Sequence, residues 1–195
     1  MDPFEQLVQA HRPAMKAVLA DLVALFRAHD VRYVVGGANA LSLYVRPRMT
    51  IDIDAFVDAA QKELVDKILA GRFEVVNIGR FHSKFKSGDV EIDILYAGAS
   101  AEDFALAHAR EAVILGTALK AASPEALLWL YLVSNKAQNT VDAVELLRAQ
   151  GALDIALVRN EIERHDPALL AKLENLRTTA KQPVMSYEAS RAKRP

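Results

Sequence analysis

The stretch GGANALSLYVRPRMTIDIDAF, Gly36 to Phe56, decides how the rest of the chain is read. A glycine pair follows the apolar run Tyr33-Val34-Val35, and further on Asp52 and Asp54 are set among isoleucines. Both features are costly. Glycine surrenders more backbone entropy on folding than any other residue, and a carboxylate flanked by isoleucines risks losing its water. Taken as a strand, Arg48 to Val57 alternates: Arg48, Thr50, Asp52 and Asp54 share one face, and Met49, Ile51 and Ile53 the other. Residues two apart on a strand lie about 6.5–7 Å apart along it, so the two carboxylates can converge on one site.

The device recurs in Val90-Glu91-Ile92-Asp93-Ile94, where Glu91 and Asp93 face one way and the aliphatics the other. If this strand neighbours the first, Asp93 becomes a third carboxylate at the same place. Such anions repel unless a cation sits between them, and hard oxygen donors without sulfur suit magnesium or manganese. Three carboxylates on adjacent strands can hold two ions about 3.5–4 Å apart, the arrangement used for in-line phosphoryl or nucleotidyl displacement. The plain alternative is a solvated face on half-buried strands. The combination of Gly-Gly after a strand, Asp-x-Asp in a strand and a later lone Asp favours the metal site. Gly36 and Gly37, between a strand and a helix over Ala38 to Tyr44, would let a triphosphate approach the backbone; a tight turn alone would also explain them.

Between the acidic strands runs Arg80-Phe81-His82-Ser83-Lys84-Phe85-Lys86, whose basic residues share a face. A two-residue turn at Ser87-Gly88 would set Lys86 beside Asp89, Lys84 beside Glu91 and His82 beside Asp93. The basic stripe then lies on the face of the third carboxylate. It reads either as a phosphate- or nucleic-acid-facing ridge or as cross-strand charge pairing on a solvated sheet.

Outward from these strands the chain is ordinary. Its 195 residues are 52% hydrophobic and 25% charged with a net charge of -1, enough for a real core and neutral on the question of nucleic acid. There is no cysteine, which excludes disulfides and thiolate metal sites. No apolar run is long enough to span a membrane and MDPFEQ lacks the features of a signal peptide, so the chain reads as soluble and cytoplasmic. Asp2, Pro3 and Glu5 start a first helix that Pro13 should break or kink, with a second helical stretch over Ala14 to Ala28. A helix is expected over Ala59 to Ala70, strands over Phe73 to Ile78 and Val113 to Leu119, and only helices afterwards: one starting at Ser123-Pro124-Glu125, one over Thr140 to Ala149, and two within Ile155 to Arg177. The class is therefore α/β (α+β): a twisted mixed sheet flanked by helices over 1–121, a helical cap over 122–180, and a loose tail over 181–195.

Val34-Val35-Gly36-Gly37, Arg48-x-Thr50-x-Asp52-Ile53-Asp54 and Glu91-Ile92-Asp93 together resemble the polymerase β-type nucleotidyltransferase superfamily. The Arg-x-Thr-x-Asp-Ile-Asp variant looks most like the AbiEii group, toxins of type IV toxin–antitoxin systems, and Ser123 to Leu128 followed by Asp142 is similar to that group's helical half. The resemblance implies the nucleotidyltransferase fold and an enzyme of the EC 2.7.7 type. Such an enzyme moves a nucleoside monophosphate from a nucleoside triphosphate to a hydroxyl acceptor with magnesium. It implies Gly36 and Gly37 for the triphosphate and Asp52, Asp54 and Asp93 for metal, with Asp93 also serving the acceptor hydroxyl as base. Arg48, Thr50 and Lys84 would belong to the nucleotide site, Lys136 would serve a phosphate, and Asp142 would orient Lys136. Where the group carries a lysine on the first helix of its helical half, this chain has Tyr131. The partners so implied are a nucleoside triphosphate, tRNA or other RNA, and a cognate antitoxin. A small-molecule acceptor, as in antibiotic-modifying relatives, and a non-catalytic nucleotide-binding module are the alternatives.

Overall fold

The computed structural model describes residues 3–149 and 153–183. Seven strands form one mixed sheet in the order β3-β4-β5-β2-β1-β7-β6. The chain enters through α1 (Pro3–Ala28), then β1 (Tyr33–Val35), the five-residue α2 (Gly37–Leu41) and β2 (Asp52–Asp58). A 3-10 turn (Ala59–Gln61) and α3 (Lys62–Ala70) lead to β3 (Glu74–Ile78), β4 (His82–Ser87) and β5 (Val90–Ala97). After α4 (Ser100–Ala107), β6 (Arg110–Ile114) and β7 (Thr117–Ala121) complete the sheet. The rest is helical: α5 (Pro124–Val133), α6 (Ala137–Ala149), α7 (Ile155–His165) and α8 (Leu169–Lys181).

The centre of the sheet is built by two pairings. β1 runs antiparallel to β2, and β5 runs parallel to β2 with Asp54 opposite Asp93. Alternation along β2 and β5 then sorts their faces. Ile53, Ala55, Val57, Ile92, Ile94 and Tyr96 lie on one face, where the Tyr96 hydroxyl donates to Asp66 on α3 and Phe26 of α1 packs against Tyr33. Asp52, Asp54, Phe56, Asp93 and Leu95 lie on the other, beneath α2, α4 and α5. α5 is buried along almost its whole length, from Pro124 to Leu132, because α2, α4, α6, α7 and α8 pack around it. Its start is set by Ser123, whose hydroxyl accepts the Ala126 N–H at 3.2 Å, with Pro124 in the first turn.

Several expectations are corrected. Pro13 lies inside one continuous helix, and it and its neighbours Arg12 and Ala14 are exposed, so its ring meets solvent rather than packed side chains. β2 begins only at Asp52, and beyond it just the Ile51 carbonyl still pairs, accepting from the Glu91 N–H at 3.1 Å. Met49 and Ile51, lying before the strand proper, are exposed rather than packed. Arg80 likewise stays outside β4. The run Val113 to Leu119 is a hairpin, turned at Leu115 and Gly116, both with positive φ. The β4–β5 turn is Gly88-Asp89, which places Lys84 opposite Asp93 and Lys86 opposite Glu91. That slip moves each pair by two residues and so preserves the shared face. α4 was not expected at all. The Asp2 cap and the chain from 184 onward lie outside the described residues.

Candidate active site

Asp52 and Asp54 stand two residues apart at the start of β2, and Asp93 is level with Asp54 on the next strand. Each of the three offers a carboxylate oxygen, and these oxygens lie within 4.8 Å of one another. Asp52 and Asp54 line a cleft of about 440 Å³ whose walls include Gly37, Thr50, Phe56, Leu95, Tyr131 and Lys136. Burial, then repulsion from Asp52 and Asp93, pushes the Asp54 carboxyl up to about 7, against the opposing charges of Lys136 and Arg48. Burial and like charge thus both oppose ionisation of Asp54.

Neighbouring side chains hold the carboxylates of Asp52 and Asp93 in place. Thr50 Oγ1 donates to Asp52, and the Asn39 side-chain amide donates to the Asp52 carbonyl at 2.8 Å. His82 Nε2 lies 2.8 Å from Asp93 Oδ1, and Lys84 Nζ lies 3.6 Å from the same oxygen while pairing with Glu91 at 2.8 Å. Lys84 therefore reaches Asp93 from the hairpin side and is not part of the cleft wall. Asp54 presses on Gly37. The Gly36 N–H donates to the Asp54 carbonyl at 2.9 Å, and a Cβ on Gly37 would overlap Asp54 Oδ2. Gly37 also has φ +55°, so a side chain there is disfavoured twice. A Cβ on Gly36 would come within 2.6 Å of the Phe56 ring.

The helical part closes the cleft from above. Arg48 donates through Nη2 to Asp142 Oδ2 at 2.7 Å and through Nε to Oδ1 at 3.1 Å, and Gln138 donates to the same carboxylate at 2.8 Å. Asp142, expected to orient Lys136, instead holds Arg48 across 94 residues of chain. The side chain of Asp142 is 2% exposed, so this fork is its main solvation. The Tyr131 hydroxyl donates to the Gly37 carbonyl at 3.3 Å, and burial keeps its pKa above the usual phenol range. Glu102 on α4 also lines the cleft. One of its oxygens has no partner, and burial holds its carboxyl above the ordinary range despite a hydrogen bond from its own backbone.

Of the residues expected at the site, Gly37, Arg48, Thr50, Asp52, Asp54, Lys136 and Asp142 line this cleft, while Asp93 joins the carboxylate group from β5. Gly36 lies beneath Phe56 and Lys84 on the far side of Asp93. Asn39, Glu102, Tyr131 and Gln138 were not foreseen as site residues. Gln138 alone carried a local signal, its spacing of four from Asp142 on a helix.

No protein-family model matches the chain, and no curated protein does. Solved structures do. The antibiotic-resistance factor ANT(2'')-Ia in solution is similar with a TM-score of 0.61 at 18% identity, over 84% of this chain and 98% of that one. The lincomycin-bound lincosamide antibiotic adenylyltransferase LnuA gives 0.50 at 17%, over 66% and 93%. An antigenic nucleotidyltransferase-like protein from Paracoccidioides brasiliensis gives 0.50 at 17%, over 89% and 95%. The chain has the nucleotidyltransferase fold.

Proposed function

We propose that the protein is a metal-dependent nucleotidyltransferase, moving a nucleoside monophosphate from a nucleoside triphosphate to a hydroxyl acceptor. The observation that carries this reading is the meeting of Asp52, Asp54 and Asp93 on adjacent strands, with one carboxylate oxygen from each within 4.8 Å of the others. An all-carboxylate oxygen set fits magnesium or manganese, and Asp52, Asp54 and Asp93 would hold two such ions. Bound there, they would make the acceptor hydroxyl more acidic and offset charge on the departing pyrophosphate.

The acceptor oxygen forms its bond to the α-phosphorus as the bond from that phosphorus to the pyrophosphate oxygen breaks. Asp93 takes up the hydroxyl proton, with His82 and Lys84 holding its carboxylate in place. Gly37 brings its backbone to the cleft wall on the triphosphate side, and Lys136, also on that wall, pairs with a phosphate oxygen. Thr50 acts on the nucleotide side by holding Asp52, and Arg48 by pinning Asp142 at the cleft wall.

Incubation with magnesium, each labelled nucleoside triphosphate in turn, and either total RNA or a small-molecule panel tests the reading. Label transfer that Asp52→Ala abolishes is the expected result. No transfer to any acceptor and no pyrophosphate release would overturn it. A small-molecule acceptor is the second reading, favoured by the likeness to ANT(2'')-Ia and to the lincosamide adenylyltransferase. The AbiEii resemblance adds a toxin role checked by an antitoxin; growth arrest on expression, relieved by Asp52→Ala, is its test.

A further inference from the structure

A second, larger cleft of about 690 Å³ adjoins the carboxylate site, and Ala38, Arg48 and Thr50 line both. Its chemistry is opposite. Arg12 of α1 and Arg46 of the loop before β2 face it along with Arg48, and no carboxylate is among the described residues that line it. Arg48 is already committed to Asp142, whereas Arg12 and Arg46 have no carboxylate partner among the described residues. Leu43, Met49 and Val113 give the cleft an apolar surface, at 38%, 36% and 64% exposure.

We propose that this cleft binds the acceptor, and that the acceptor is the end of a single-stranded nucleic acid carrying a free hydroxyl. The proposal rests on the nucleotidyltransferase reading and names its acceptor class. Guanidinium groups pair bidentately with phosphates and stack on bases, and Leu43, Met49 and Val113 set an apolar surface beside them. A polycationic acceptor would meet Arg12 and Arg46 and be repelled. The cleft volume falls within the range of about 300–1,000 Å³ typical of ligand sites. The shared wall leads from the arginines to Asp52, so a strand end held by its phosphates presents its terminal hydroxyl to the carboxylates.

The test is fluorescence anisotropy of a labelled single-stranded RNA, and its DNA counterpart, with the full-length wild type and an Arg12→Ala/Arg46→Ala variant. Thermal melting and magnesium–ATP binding are followed on both proteins. Loss of two phosphate contacts should weaken binding by about tenfold or more and make the log–log salt slope shallower by about 1.4, at about 0.7 per phosphate. The melting temperature and magnesium–ATP binding should stay unchanged. Equal oligonucleotide affinity and salt slope in the two proteins would overturn the proposal. So would arginine-dependent binding of ribose phosphate with no oligonucleotide binding, which would assign the cleft to a phosphorylated small molecule. Failure of the wild type to bind magnesium–ATP counts against the nucleotidyltransferase reading instead, and the oligonucleotide measurement reads out independently of it.

Discussion

Replacing Asp54 with asparagine should stabilise the metal-free protein, and by an amount that grows with pH. The folded structure pushes the Asp54 carboxyl up from 3.8 to about 7 through burial and the charges of Asp52 and Asp93. The native state therefore keeps a proton that the unfolded chain has already released. Stability contributed by that retained proton is complete below the unfolded value, falls as pH rises, and is gone above about pH 7. A shift of about three units corresponds to at most about 4 kcal/mol. Partial exposure and coupling among the three carboxylates reduce this to about 1–3 kcal/mol. Asparagine keeps the shape and removes the charge. At about pH 8 in chelator, Asp54→Asn should melt higher than wild type by about 2–4 °C for each kcal/mol, and the gap should close toward about pH 4. Magnesium should raise the melting temperature of the wild type and leave the variant nearly unmoved. Thermal melts across this pH series, with and without magnesium, decide it. A variant that is no more stable than wild type at any pH above about 7 would refute the reasoning.

Other perturbations separate packing from chemistry. Gly37→Ala combines a left-handed backbone with overlap on Asp54 and should cost about 2–4 kcal/mol in urea melts. Arg48→Ala leaves the buried Asp142 carboxylate with Gln138 alone and should cost about 1–3 kcal/mol; Arg48→Lys should recover little, since lysine lacks the planar fork. Tyr96→Phe removes the hydroxyl donated to Asp66, whose carboxyl is raised by burial but held low overall by the bonds from Lys62 and Tyr96. That variant should lose about 1 kcal/mol near neutral pH, and the loss should shrink as acid protonates Asp66, measurable by melts at falling pH.

What the sequence disclosed followed from local periodicity. A period of two is enough to put Asp52 and Asp54 on one face and Asp93 on the matching face of its own strand. Parity also survived the error at the β4–β5 turn, because moving the turn to Gly88-Asp89 shifts the register by two and flips nothing. Strand ends were less legible. Arg48 to Ile51 alternate as a strand would, but only Ile51 has a partner, and where a strand stops depends on its neighbour. The Arg48–Asp142 fork and the Tyr131 contact to Gly37 join residues 94 apart, and no local pattern announces such a pair. Glu102 was missed together with its whole helix. The acidic first turn of α4 was readable in Glu102 and Asp103, but the aim of that helix at the cleft comes only from packing.

The glycines and the carboxylates of the opening stretch do not carry equal weight. Each glycine has a sufficient explanation inside the fold, Gly36 in the approach of Phe56 and Gly37 in its positive φ and the pressure of Asp54. A nucleotide is not needed to account for either. The carboxylates differ, because burial and mutual repulsion oppose the Asp54 charge and nearby Lys136 and Arg48 fall short of restoring its ordinary acidity. The fold even adds to that cost: the hydrogen bond from the Gly36 N–H to the Asp54 carbonyl and the Asp54–Asp93 register tie the three acids together. A structural role would be served as well by asparagine. The inference to a cation, and through it to nucleotidyl transfer, therefore rests on the aspartates, and Asp54→Asn is the substitution that separates the cost of the site from its use.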